Sequence, residues 1–185
     1  VSLVYRNYDP DYQVLNANAF AEASQPINEK GFYIGLEMRP FKNITFSSYA
    51  DVWSNPWASY RRDGPTDGKE IFIKMSYIQK RKLDFYIQYR YEQKQVNSNN
   101  ESIIDYPEYQ TLQRLRFHLG YKLTKEWELR ERAEFSFFRK ATKSHGFLAY
   151  QDVIFKPIAS PFSMTARYAI FDINSYDARI YAYEN

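Results

Sequence analysis

The sequence predicts an all-β protein, an antiparallel up-and-down transmembrane β-barrel of about ten strands forming a single domain over residues 1–185. Three observations predict it. Successive segments alternate apolar and polar side chains, the period of a strand whose two faces differ. Very short turns and long polar loops follow each other, as at the two rims of an outer-membrane barrel. Aromatic residues make up 19% of the chain, with 18 Tyr and 14 Phe, and Tyr suits a position with one wet end and one apolar end, as at a bilayer interface.

The first strand covers residues 2–8 and breaks at Asp9-Pro10-Asp11. A polar external loop runs on to Lys30, with space for a helical turn or two at 17–23. The second strand, 31–39, sets Phe32, Ile34, Leu36 and Met38 against Tyr33, Gly35, Glu37 and Arg39. After the turn Pro40-Phe41-Lys42-Asn43, the third strand at 44–53 alternates Ile44, Phe46, Ser48, Ala50 and Val52 with Thr45, Ser47, Tyr49, Asp51 and Trp53. A long loop, 55–69, leads to the fourth strand at 70–79, and the basic turn Lys80-Arg81-Lys82 opens the fifth.

That fifth strand, 82–91, is the clearest: Leu83, Phe85, Ile87, Tyr89 and Tyr91 share one parity, while Asp84, Tyr86, Gln88 and Arg90 share the other. A polar loop, 93–109, precedes the sixth strand at 112–123, where Leu115, Phe117, Leu119 and Tyr121 oppose Arg114, Arg116, His118 and Lys122. Thr124-Lys125-Glu126 turns into the seventh strand, 127–138, and a loop at 139–145 leads to a less regular eighth, 146–156. The ninth strand is 162–171, after a turn at 157–161, and a tenth begins near Asp177. Glu131 interrupts the apolar parity of the seventh strand, where a lipid-facing carboxylate is costly.

Composition narrows the function. With no Cys, disulfides and thiolate metal sites are excluded. With 25 basic and 22 acidic residues, the net charge of +3 is too mild to indicate nucleic acid, and no such partner is expected. No run of ~18 apolar residues exists to form a membrane helix, and the mean hydropathy is −0.64; a barrel escapes both tests because only alternate residues meet lipid. The chain opens at Val1 already in strand pattern and closes in one, and it reads as a fragment, incomplete at one or both ends.

The polar parity supplies the candidate site residues. Asp84, Arg90, Arg114, Arg116, His118, Glu128, Arg130, Arg132, Glu134 and Arg167 are expected to line the lumen and to pair across strands. A barrel this narrow is close to the size that side chains can fill. A salt-bridged lumen without further function is therefore the plainer reading, and an Arg-rich path for small polar or anionic solutes the sharper one. Trp53, Trp57 and Trp127 are expected in an interfacial aromatic girdle. Arg61-Arg62 beside Trp57 and Tyr60 suggest a polyanion or sugar contact, although girdle anchoring explains those aromatics more simply.

His118 and His145 are the only histidines, and nothing in their spacing brings them together. Asp63, Asp67, Glu101 and Asp105 would be rim carboxylates if the barrel were an enzyme, yet no spacing singles them out and solvated loop charge is the default reading. No phosphate loop, nucleophile elbow or zinc-protease motif is present. No catalytic residue, metal site or cofactor is assigned.

At Tyr89-Arg90-Tyr91, Leu115-Arg116-Phe117 and Arg179-Ile180-Tyr181-Ala182-Tyr183-Glu184-Asn185, the chain resembles the barrel region of poorly characterised outer-membrane proteins of Bacteroidota-type bacteria. Some of those carry helix-hairpin-helix segments ahead of the barrel. The resemblance implies further strands beyond such a segment and transfers neither catalytic residues nor DNA binding.

The function expected is that of a structural or narrow-pore barrel in the outer membrane of a Gram-negative bacterium, with the lipid bilayer as its partner. A soluble antiparallel barrel or curved sheet that binds an apolar or carbohydrate ligand has the same alternation with its faces exchanged. A barrel enzyme comes third. The sequence does not separate the first two, because alternation alone does not say which parity is inside.

Overall fold

A computed structural model describes residues 1–13, 19–23, 25–60, 62–98 and 105–182. Nine antiparallel strands follow one another in a single sheet, each hydrogen-bonded to its sequence neighbours. They are β1 (Ser2–Tyr8), β2 (Glu29–Phe41), β3 (Ile44–Asn55), β4 (Thr66–Gln79), β5 (Leu83–Asn97), β6 (Pro107–Lys122), β7 (Trp127–Arg139), β8 (Lys143–Phe155) and β9 (Met164–Ile173). The sheet is up-and-down throughout but not closed: β1 and β9 each keep one edge that no described strand pairs with.

The strands outrun their alternation. β5 and β6 extend through residues 92–97 and 107–112 and stay in register, Glu92 opposite Leu112 and Asn97 opposite Pro107. Polar residues occupy both parities there, so the sequence reads as loop while the backbone ladder continues. The connection shrinks to residues 98–106, and likewise β4 begins at Thr66 because 66–69 pair with 52–55.

The long–short rhythm holds for the first six connections and then breaks. Residues 140–142 alone join β7 to β8, since Lys143 and Ser144 continue the ladder opposite Arg139 and Phe138. We call the end of the sheet with connections 9–28, 56–65 and 98–106 the loop end, and the opposite end the turn end. The tight turns are built locally: Asn43 and Arg81 adopt left-handed φ of 70° and 63°, and Asn tolerates that conformation where most side chains do not.

The tenth strand expected near Asp177 is not formed among the described residues. Ser175 caps a single 3-10 turn, Tyr176–Ala178, its side chain accepting from the Asp177 N–H. The turn packs against β7 and β8, and Ala178 is wholly buried. A Cβ on Gly146 would collide with the Ala178 carbonyl oxygen, so glycine on β8 permits this approach. The Arg132 guanidinium donates to the Tyr181 carbonyl at 3.3 Å, which draws residues 179–182 over the polar face instead of along the edge of β9.

The two faces have opposite chemistry, and the polar one is the covered one. Glu29 is 0% exposed, Glu134 2%, and Asp51, Glu70, Ser136 and Asp152 are also buried. On the other face Ile73 is 41% and Met75 47% exposed, with Leu3, Ile34, Met38, Val52, Phe137 and Ile170 similarly open. One row of that face runs Met38, Phe46, Met75, Ile87, Phe117, Ala133, Ala149, Ile170 across eight strands without a polar side chain. β8 read irregularly because Leu148 and Ile154 lie on its inner parity, where both are buried.

Candidate functional site

All ten candidate lumen residues fall on the polar parity, arranged in cross-strand rows. Towards the turn end, Asp84, Gly120, Arg130, Asp152 and Arg167 are successively opposed from β5 to β9. Arg167 grips Asp152 with two bonds, 2.6 and 2.8 Å, and its guanidinium lies 4.2 Å over the Tyr150 ring. Arg130 Nε donates to Glu128 at 2.6 Å on the same strand. His118 stacks on Tyr86 at 4.8 Å, and the Lys74 ammonium on β4 lies 4.3 Å from the centre of the same Tyr86 ring. Asp84, His118, Glu128 and Arg130 border a 420 Å³ cavity at this end.

The centre of the face is arginine-rich. Arg116 is directly opposite Glu134 and donates to it from Nε at 2.7 Å and Nη2 at 3.3 Å. Arg132, two residues along β7, donates to the same carboxylate from Nε at 3.0 Å and from Nη2. One buried carboxylate thus serves two guanidinium groups. Arg90 donates from Nη2 to Glu70 at 2.6 Å, and Glu70 also accepts from the Tyr49 hydroxyl. Arg114 makes no hydrogen bond or ion pair with any described residue; Arg90 and Ser136 are its directly opposed neighbours.

The β1–β3 side holds a cluster that sequence reasoning missed. Arg6 donates from Nε to Glu29 and from both Nη atoms to Asp51, at 2.8 and 3.1 Å. The side chain crosses β2 over Gly31, where a Cβ would run into the guanidinium. The signal was available: Arg6 lies on the parity of Val4 and Tyr8, but β1 is too short for its alternation to show a polar face.

Trp53 requires a correction. It is 5% exposed and lies on the polar face, its indole seated over Gly68 on β4. Its parity with Asp51 put it inside, and a glycine directly opposite made the space. Trp57 and Trp127 are exposed, at the loop end and the turn end respectively. Trp127 packs on Phe155 at 4.5 Å, and the Trp57 backbone is pinned to Asn28 by bonds of 3.0 and 2.7 Å.

At the loop end a cavity of about 840 Å³ is bordered by β2 through β7 and by Asp177 of the 3-10 turn. Glu22 reaches it from connection 9–28, its N–H donating to both Glu29 oxygens at 3.1 Å. Burial pushes the Glu22 carboxyl up to about 6; Lys94 opposes the rise, while Glu92, Glu70 and Glu29 add to it.

Of the rim acids, Asp63 braces two connections and Asp67 braces two strands. Asp63 accepts from the Asp105 N–H at 3.1 Å, a bond that helps hold its carboxyl below the ordinary range. Asp67 accepts from the Tyr109 hydroxyl at 3.1 and 3.0 Å. Glu101 and Arg61 lie outside the described residues. His118 and His145 are on opposite faces of the sheet, since His145 opposes Phe137 on the apolar parity. Glu131 stays on the apolar face, where Gln151 donates to it at 2.7 Å.

Comparison with protein-family models, with curated proteins and with solved structures finds no match to this chain.

Proposed function

We propose that the chain forms the wall of a β-barrel in the outer membrane of a Gram-negative bacterium, structural or a narrow pore for small polar or anionic solutes. The observation that carries this reading is the inversion of burial, with carboxylates covered and Ile73, Met75 and Ile170 open. Water would expel such an apolar face, whereas lipid tails would accept it. Its height also suits a bilayer. Trp127 to Phe137 is ten residue steps along β7, ~34 Å at the usual rise, and roughly 26 Å for a strand tilted by about 40°, near the ~25 Å apolar band of such barrels.

The open edges bear on closure. β1 and β9 both run from the turn end to the loop end. An antiparallel closure therefore takes an odd number of further strands. The resemblance noted above supports the same reading.

A refolding experiment tests it. Far-UV circular dichroism and a heated-versus-unheated gel shift are recorded with and without detergent micelles. The reading expects folded β-structure and a heat-dependent shift in micelles only. Folded, monodisperse protein in plain buffer contradicts it and favours the soluble sheet.

A further inference from the structure

Among the described residues, four buried side-chain atoms have no hydrogen-bond partner: Ser59 Oγ, Arg90 Nε, Arg114 Nε and Ser136 Oγ. The last three belong to residues directly opposed on β5, β6 and β7. Buried polar groups are ordinarily bonded, so three orphans in one row point to a common partner. Guanidinium groups only donate, and a serine hydroxyl can donate. Adjacent strands are ~4.8 Å apart, so the row spans roughly 10 Å between its outer Cα atoms, within reach of two arginine side chains leaning over one occupant.

The charges agree. Arg90 and Arg114 are permanently cationic and directly opposed, an unfavourable pair unless something neutralises it. The acids on the neighbouring strands are already engaged: Glu134 by Arg116 and Arg132, Glu70 by Arg90, and Glu92 by Lys94 at 2.5 Å. Arg114 is the charge in excess. It borders a 240 Å³ cavity that shares Lys94, Gln110, Phe138 and Asp177 with the 840 Å³ cavity at the loop end.

We propose that this row is a binding site for a small oxyanion, a carboxylate or phosphate group, held by Arg114 with Arg90 and Ser136 as further donors. A planar guanidinium matches the paired oxygens of either group. Ser136, wholly buried and directly opposite Arg114, is the third donor of the row. The site deepens the pore reading by naming its solute class, but its geometry depends on strand register alone, so the two fail separately.

The test is isothermal titration of the refolded full chain with inorganic phosphate, then with acetate, at constant ionic strength. Saturable binding is expected. Arg114→Gln should weaken it at least about tenfold, as for loss of a charge-assisted bond. Ser136→Ala should weaken it several-fold, and Lys122→Gln near the turn end should leave it unchanged. Absence of saturable binding to both probes, or unchanged affinity in Arg114→Gln, overturns the site. Should Arg114→Gln fail to fold, unchanged affinity in Ser136→Ala overturns it instead. Binding in plain buffer by protein that folds without micelles would leave the site standing and remove the membrane.

Discussion

Arg6 and Arg114 occupy the same face of the same sheet and end in opposite states. Arg6 is 3% exposed and meets two carboxylates from two neighbouring strands. Its positive charge is more than balanced, and every donor nitrogen has an acceptor. Arg114 has an arginine on one side and a serine on the other. The first arrangement ties three strands and the 9–28 connection together, through Glu29 and the Glu22 backbone. The second leaves charge and donors that no group among the described residues uses. Pairing marks the part of the polar face that holds architecture, and excess charge marks the part suited to a ligand.

The largest expected effect breaks the first half of that contrast. Arg6→Ala strands two buried carboxylates, and removing one partner of such a cluster costs about 3–5 kcal/mol. Urea unfolding should show that loss, whereas Arg114→Gln measured without added anion should change stability by less than about 1 kcal/mol. Equal losses at both positions would erase the distinction. Ile87→Arg puts a charge in the centre of the apolar row and should cost about 2–4 kcal/mol in a bilayer, with Gln88→Leu mild beside it.

A smaller effect is expected at Gly146. Gly146→Val pushes a side chain into the Ala178 carbonyl and should lose about 1–3 kcal/mol, the usual range for overpacking. Amide hydrogen exchange would rise at residues 176–182 while the Arg6 cluster stays protected. The smallest effect concerns pH. The folded Glu22 carboxyl titrates near 6, above its ordinary 4.5. Its charge therefore opposes folding above pH 6, and that opposition fades as pH falls from about 6 towards 4.5. Glu22→Gln should be about 1 kcal/mol more stable than the parent at pH 7, after discounting for solvent screening, and the difference should vanish near pH 4.

Most of the strand order was legible because alternation is a local property. Each strand needs only its own residues to display it, and tight turns such as Lys80-Arg81-Lys82 punctuate the chain. What was not legible depended on partners. Trp53 became an inward residue because Gly68 sits opposite, a fact of register. Residues 179–182 alternate like a strand, yet Gly146 and Arg132 draw that segment across the polar face. The extension of β5 to Asn97 carries polar residues on both parities and shows no period at all. The Arg90–Arg114–Ser136 row is invisible in sequence, since its members are brought abreast only by pairing. Nor does alternation reveal which parity is covered; the buried carboxylates do.

In the proposed barrel Ile87 faces lipid while Gln88 faces the enclosed polar side. The chain contains no cysteine, so Ile87→Cys and Gln88→Cys can each carry one fluorescent label in protein refolded into vesicles. Quenching of the label at 87 by brominated lipid tails and not by aqueous iodide is expected, with lipid quenching absent at 88. Strong lipid quenching at 88 and none at 87 would contradict it and reverse the two faces.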